Sequence, residues 1–483
     1  MREADRKTIE SGVSSRTLMH NAAKAVFAAK DDIGRAAVVC GKGNNAGDGY
    51  ALAMLASDAG KNIALIRLCD SFSEDGRYYY EECKKRNVPE LPLTELCGFD
   101  TVYDCIFGTG FSGEPKEQYA EAIKRINESG AFVISADIPS GLDGETGMTS
   151  LCVKADMTVA LGYIKTGEVL CMAKDNVGKI TVADIGIKTD DICAKLIEAQ
   201  DIKAVLKKRD NHCNKGNFGY VSIIGGCGDY IGAPKLSNLA MSALRAGCGV
   251  SRLCVPRSLA DAVAPAILES TLVRMPEEDG HMIFDSAALD KAIGGTKAAA
   301  IGMGMGTGDD NEKIISYILE NYTGTLIIDA DGLNSVAKAK HILKNKSCRV
   351  VITPHPKEFE RLSGVPVSDV VKYPVKYAAD FSREYDVTVL LKGTATVVAD
   401  SDECYLCDRG CAGMATAGSG DVLSGVLCGL FGYSQMSPAY TAACGAFISG
   451  RAGEIAEKDT NQISMTSGDT VRHLPSAISE LLK

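Results

Sequence analysis

One pattern recurs along this chain of 483 residues and confines its fold: a short apolar run, a glycine-rich turn, then a stretch with helical spacing. It is read in AAVVCGKGNNAGDGYALAMLASDAG, YDCIFGTGFSG, FVISADIPSGLDG, YVSIIGGCGDYIGAPKLSNLAMSALRAG, AAAIGMGMGTG, LIIDADGLNSV and VVITPHPKEFERL. Strands that alternate with helices of this length pair in parallel, and a parallel sheet must be covered on both faces. The fold class is therefore α/β, with ligands expected at the turns that follow the strands. A chain this long exceeds one ordinary core, which points to two domains. The stretch KTDDICAKLIEAQDIKAVLKKRDNHCNKG is polar, lacks a strand pattern and precedes a fresh strand at Tyr220 to Ile224. The boundary is placed near Asp201, giving domains 1–205 and 206–483.

Charge and composition remove several function classes. A net charge of -10 argues against a nucleic-acid partner, because duplex binding rests on a basic footprint. No run approaches the roughly 18 apolar residues of a membrane helix. The start, MREADRKTIESG, lacks the apolar core of a secretory signal, so a cytoplasmic location is expected. The 18 cysteines are scattered through apolar segments and read as reduced core thiols. Cys404, Cys407 and Cys411 form the one cluster that resembles metal-ligand spacing. They fall in a predicted hairpin, TATVVADSDECYLCDRG, whose alternation sends Cys404 and Cys407 to opposite faces, and no fourth ligand lies nearby.

In the first domain, Ala36 to Cys40 reads as a strand, Gly41 to Gly49 as a glycine-rich turn, and Tyr50 as the start of a helix. Such turns let backbone N–H groups approach a phosphate, although glycine there also serves packing alone. The string matches neither the usual dinucleotide fingerprint nor the P-loop. Two later turns, DCIFGTGFSG and ADIPSG, each set an acid, Asp104 or Asp137, beside glycines at a strand end.

In the second domain, MATAGSGDVL runs from a small-residue loop into an apolar helix. Asp421 there is poised either to act beside a transferring phosphoryl group or merely to cap the helix. Lys392, Gly393, Thr394, Ala395 and Thr396 follow a strand at Val387 to Leu391 and offer a cation, hydroxyls and a flexible glycine. Gly302 to Gly306 forms another glycine-rich strand end, His355 lies between two prolines, and Asp329, Asp331 and Asn334 form a further polar strand end.

The ordered set GKGNNAGDG, DCIFGTGFSG and DIPSGLDG resembles the NAD(P)H-hydrate epimerase family over residues 1–205. The set YVSIIGG, IGMGMG, DADGLN, TPHPKEFERL, LKGTAT and AGSGDVLSG resembles the ADP- or ATP-dependent NAD(P)H-hydrate dehydratase family over nearly all of residues 210–483. The first resemblance implies a Rossmann-like three-layer sandwich, the second a ribokinase-like α/β domain. Together they imply epimerisation of the R and S hydrates of NADH and NADPH (NADHX and NADPHX) and nucleotide-dependent dehydration of the S form. By resemblance, Asn44, Asn45, Ala46, Gly47 and Asp48, with Gly108, Thr109, Gly110, Phe111, Ser112, Gly113 and Glu114, hold the first substrate. Asn45, Asp104 and Ser140 would surround a potassium ion (K+), and Asp137 would be the acid/base. Ala233, Gly306 and His355 would contact the hydrate beside the catalytic base Asp421. Lys392 to Thr396 and Gly420 would hold ADP or ATP, with Mg2+ on its phosphates.

Three departures from the family pattern stand out. Ala46 replaces a usual glycine and would strain the loop if that position needs positive φ. Met303 replaces a proline, and Lys357 a glycine, without removing a reacting group. The resemblance also implies a homo-oligomer, and the adenine nucleotide and the hydrates are the only partners expected. An alternative is a ribokinase-like kinase of a small alcohol with an N-terminal nucleotide-sensing module, since GSGD fits either enzyme.

Overall fold

The computed structural model describes residues 2–206, 208–239 and 245–483. They form two compact units that divide after Ile192. In the first unit, helices α1 (Arg2–Glu10) and α2 (Ser15–Ala28) precede an alternating series. It comprises β1 (Ala36–Cys40), α3 (Asn44–Asp58), β2 (Ile63–Arg67), α4 (Glu74–Lys85), β3 (Thr101–Cys105), α5 (Glu117–Glu128) and β4 (Phe132–Ala136), and ends with β5 (Met157–Leu161) and β6 (Lys179–Ala183). The sheet has six strands, all parallel, in the order β2-β1-β3-β4-β5-β6.

Every residue of β1 is buried, and its side chains divide between two cores. Val38 and Cys40 join Leu65, Tyr103 and the inner residues of α2 and α3. Val39 and Ala37 join Ile66, Val102 and Ile123 and Ile126 of α5. A strand buried on both faces reads as a continuous apolar run, and AAVVC is one. The unit is thus the expected three-layer sandwich.

The second unit opens with β7 (Lys195–Leu196), α6 (Ala199–Val205), β8 (Tyr220–Ile224), α7 (Gly232–Asn238), β9 (Val250–Pro256), α8 (Arg257–Val263), β10 (Thr271–Met275) and a small ribbon, β11 (Glu277–Glu278) and β12 (His281–Met282). It continues through α9 (Ser286–Ile293), β13 (Ala298–Ile301), α10 (Asn311–Asn321), β14 (Thr325–Ile328), α11 (Ala330–Lys338), β15 (Arg349–Ile352), α12 (Pro356–Ser363), α13 (Val367–Lys372) and α14 (Pro374–Tyr385). The last elements are β16 (Thr388–Leu391), β17 (Thr396–Ala399), β18 (Cys404–Cys407), α15 (Ser419–Phe431), α16 (Pro438–Asp459) and α17 (Ser467–Leu481). The sheet order is β10-β9-β8-β13-β14-β15-β16-β17-β18-β7. It is parallel from β10 to β16, and β17 and β18 then run as an antiparallel hairpin. The helical stretch expected after Tyr230 begins as α7, and its continuation over residues 240–244 lies outside the described residues.

The structure corrects the boundary. Residues 193–205, assigned by sequence to the first domain, belong to the second unit. Lys195 and Leu196 add a parallel strand to β18, and Ile197, Ile202, Val205 and Leu206 enter the second core. Charged neighbours hide these few apolar residues from a pattern search. The 18 cysteines are all free thiols. Cys404 and Cys407 sit at the two ends of β18, and Cys407 is buried.

Candidate active sites

In the first unit, β2 and β3 lie on opposite sides of β1, so the chain direction of the sheet reverses between β1 and β3. Turns diverge at such a point and leave a crevice. A cavity of about 870 Å3 opens there, lined by Lys42 to Asn45 after β1, Phe107 to Ser112 after β3, and Asp137 after β4. Asn44, Asn45, Asp48, Gly108, Thr109, Gly110, Phe111, Ser112, Glu114 and Asp137 of the expected set line this cavity, and Ala46, Gly47 and Gly113 do not.

The reason lies in α3, which begins at Asn44 and not at Tyr50. Gly43, with φ of 88°, turns the chain, and the following string winds directly into helix. Ala46 is therefore a helical residue, 1 % exposed, and is absent from the described residues with positive φ. The strain expected of an alanine at this position does not arise. Gly47 instead lets the helix approach its neighbours, since a Cβ there would lie 2.5 Å from Met19 Cε.

Asp137 is a non-glycine residue in the left-handed region, with φ of 71°. Its Oδ1 accepts from Lys165 Nζ at 2.5 Å and its Oδ2 from the Thr109 N–H at 3.2 Å. Behind it, Glu168 is buried, and burial against the pull of Lys165 lifts its carboxyl to about 7. Across the cavity, burial raises Asp48 well above the usual carboxylate range, with the charges of Asp137 and Asp5 adding to the effect. Asp5, reached from α1, is raised by burial and by Asp137 in the same way.

The three proposed potassium ligands come together beneath the cavity. Ser140 Oγ donates to Asp104 Oδ1 at 2.6 Å and accepts from the Phe107 N–H at 2.8 Å. Asn45 Nδ2 donates to the Phe107 carbonyl at 2.6 Å, which leaves Asn45 Oδ1 buried without a hydrogen-bond partner. Asp104 is fully buried among neutral donors, and burial outweighs their hydrogen bonds and raises its carboxyl. An orphaned Asn45 amide oxygen and a buried Asp104 carboxylate that pairs with no Lys or Arg among the described residues, linked through Phe107 and Ser140, fit a hard, oxygen-seeking ion.

In the second unit the sheet reverses between β8 and β13, and the expected residues gather at the carboxyl ends of the parallel strands. Asp329, just past β14, accepts from Lys392 Nζ at 3.0 Å and from Ser424 Oγ at 2.8 Å. These partners overcome the effect of burial and hold Asp329 below the usual carboxylate range. Gly420 lies over this pair, because a Cβ on it would be 3.4 Å from Lys392 Nζ. Asp421 stands one residue on, in the first turn of α15. It does not cap: the cap is Gly418, with φ of 90° and no side-chain bond, and the Asp421 carboxylate has no hydrogen bond among the described residues. Burial, then the charge of Asp329, push its carboxyl up to about 7.

The remaining expected residues surround this centre. The Gly306 N–H donates to Asp331 Oδ2 at 2.8 Å, Asn334 Nδ2 to Asp331 Oδ1 at 3.3 Å, and Arg361 to Asn334 Oδ1 at 2.8 Å. Ala233 approaches the same turn, 3.0 Å from where a Cβ on Gly304 would stand. His355 is the N-cap of α12, its Nδ1 accepting from the Lys357 and Glu358 N–H groups. Lys392 to Thr396 form the tight link from β16 to β17, with Gly393 and Thr394 exposed and the Ala395 side chain buried. Among the described residues, no cluster of His, Cys, Asp or Glu side chains could hold a metal by itself.

Sequence reasoning missed Lys165, Glu168 and Asp5, and gave Asp329 no specific role. Lys165 follows β5 in LGYIKTGE, a strand end whose two glycines stand apart and form no glycine-rich cluster, so the glycine-rich criterion passed over it. An acid directly after the apolar LII of β14 was the available signal for Asp329.

A family model described as NAD(P)H-hydrate dehydratase matches residues 221–476, and one described as YjeF-related protein N-terminus matches residues 15–167. The bifunctional NAD(P)H-hydrate repair enzyme of Moorella thermoacetica is 32% identical over 92% of this chain and 88% of its own. The chain belongs to the NAD(P)H-hydrate repair enzyme family. The repair enzyme of Thermofilum pendens is likewise 32% identical, over 99% of this chain and 94% of its own. Such matches run through both units of this repair-family member, so the alternative of a kinase with a sensing module is set aside. Among solved structures, ADP/ATP-dependent NAD(P)H-hydrate dehydratase from Bacillus subtilis, co-crystallised with ATP/Mg2+, superposes with a TM-score of 0.51 at 24% identity, over 60% of this chain and 99% of that one. A ribokinase-like superfamily protein from Enterococcus faecalis gives 0.53 at 21% identity, over 61% and 98%. These likenesses show that the repair-family chain carries the ribokinase-like fold.

Proposed function

We propose that this chain carries out both halves of nicotinamide nucleotide repair, epimerising the hydrates of NADH and NADPH in its first unit and dehydrating the S form with ADP or ATP in its second. The observation that carries the reading is the state of Asp421. It stands at the mouth of a helix, spent on no cap, beside a lysine and a glycine suited to phosphate.

In the second unit Asp421 takes the proton of the ring hydroxyl while that oxygen attacks the terminal phosphorus of the nucleotide, whose bridging P–O bond breaks to release ADP from ATP or AMP from ADP. The phosphoryl ester then leaves with the C–O electron pair, and loss of the neighbouring ring proton restores the double bond. Lys392 and the amides around Gly420 hold the nucleotide, and Ala233, Gly306 and His355 hold the hydrate. Magnesium would travel with the phosphates, in keeping with its preference for few protein ligands.

In the first unit Asp137 gives its proton to the departing hydroxyl and takes one back when water adds to the opposite face of the ring. The loop amides after β1 and β3 hold the phosphates and ribose. Potassium at Asn45, Asp104 and Ser140 would supply a fixed positive charge beneath the anionic ligand.

The test is to incubate the purified protein with mixed hydrates and either nucleotide and follow the return of dihydronicotinamide absorbance. Complete recovery of both epimers is expected. Recovery that stops at the S fraction removes the epimerase half, and no recovery removes both.

A further inference from the structure

The buried charges behind the first cavity carry an inference that rests on the epimerase reading just given and deepens it. Lys165 is 6 % exposed, and its ammonium meets three acceptors: Asp137 Oδ1 at 2.5 Å, the Asp137 carbonyl at 3.3 Å and the Leu161 carbonyl at 3.4 Å. An ammonium has three N–H donors, so none remains for a ligand. Lys165 also does not line the cavity, whereas Asp137 does. Whatever Lys165 contributes to the reaction therefore passes through Asp137.

That contribution has two parts. Asp137 has φ of 71°, a backbone state that costs a non-glycine residue free energy and persists only where the surroundings impose it. Lys165 grips both the carbonyl and the carboxylate of this residue, which fixes the strained turn and the side-chain direction together. The second part is aim. Asp137 shares the cavity lining with Asp48 and Asp5, and its two carboxyl oxygens are fixed separately, Oδ2 by the Thr109 N–H and Oδ1 by the lysine. The lysine holds this group from behind. It is itself anchored: the Lys165 N–H donates to Glu168 Oε2 at 2.6 Å, Glu168 Oε2 stands 4.0 Å from Nζ, and Glu168 Oε1 is buried with no hydrogen-bond partner.

We propose that Lys165 is the positioning residue of the epimerase site, clamping Asp137 in its left-handed conformation and aiming its carboxyl group into the cavity, with Glu168 as the buried anchor of the clamp.

The experiment uses the full chain with Lys165→Met, Lys165→Arg and Glu168→Gln, measuring epimerisation of the R hydrate and dehydration of the S hydrate in the same preparations. Lys165→Met is expected to lower the epimerisation kcat by about 100-fold, with KM changed less than about threefold. Lys165→Arg, which keeps a cation on the Asp137 carboxyl, should recover kcat to within about tenfold of the parent, and Glu168→Gln should lower kcat less than Lys165→Met does, by about tenfold. Unchanged dehydration, together with a circular dichroism spectrum and melting profile matching the parent's, certifies that both units are folded. A Lys165→Met enzyme with the parent's kcat overturns the proposal, as does a rise in KM alone or an arginine variant as slow as the methionine one. If Lys165→Met loses dehydration as well, Lys165→Arg against Glu168→Gln decides in the same terms. A parent enzyme that epimerises nothing overturns the epimerase reading instead, so the two failures are distinguishable.

Discussion

Burial, helped by the charge of Asp329, lifts the Asp421 carboxyl to about 7. A general base works only without its proton, so the dehydration kcat should climb with pH through about 7 and level off above it. An Asp421→Asn variant should still bind hydrate and nucleotide but lose at least ~100-fold in kcat, read from the return of dihydronicotinamide absorbance. Stability should follow the opposite course. A carboxyl raised by folding binds its proton more tightly in the folded state, so its stabilising contribution is complete below the ordinary value of 3.8 and disappears as pH rises to about 7. The asparagine variant should therefore lose less thermal stability than the parent between pH 5 and pH 8, and calorimetry at the two pH values would show it. Glu168, lifted to about 7 by burial, should act with the same sign in the first unit. At this scale the sequence singled out Asp137 and Asp421 by their glycine-rich settings, and did not single out Glu168. It did not disclose Lys165, because a lysine after a strand is indistinguishable from a solvated one until Asp137 is seen 2.5 Å away.

Among the elements, the strands were the most legible. AAVVC and YVSII are apolar runs of the length that a doubly covered parallel strand requires, and β1 and β8 occupy those residues. The start of α3 was not legible, since asparagine and glycine in NNAGDG signal a turn in isolation while packing against α2 and α4 makes them helical. The turn after β13 is the most demanding of the glycine-rich strand ends. Gly302 has φ of 119°, and a Cβ there would stand 2.0 Å from the Asp329 carbonyl. Gly302→Ala should push the ends of β13 and β14 apart, destabilise the second unit by roughly 2–4 kcal/mol and abolish dehydration. Urea unfolding would measure the first effect and absorbance recovery the second; an alanine variant with the parent's unfolding midpoint would contradict the close approach.

For the molecule as a whole, the division after Ile192 shifts thirteen residues from the expected first domain to the second. Their apolar members were too sparse among charges to register as structure, yet Ile197, Ile202 and Val205 are all buried. Exposing such side chains costs roughly 1.5–3 kcal/mol each from burial alone. A fragment of residues 193–483 should therefore melt several degrees above one of residues 206–483, as differential scanning calorimetry would record. The two-residue β7 has a consequence beyond stability. It occupies the free margin of β18, the last strand of the hairpin that ends the sheet. Without it, the unused amides and carbonyls of that margin would be open to pairing with another molecule's strand. The shorter fragment should accordingly self-associate on standing, with light scattering that grows with its concentration while the longer fragment stays clear.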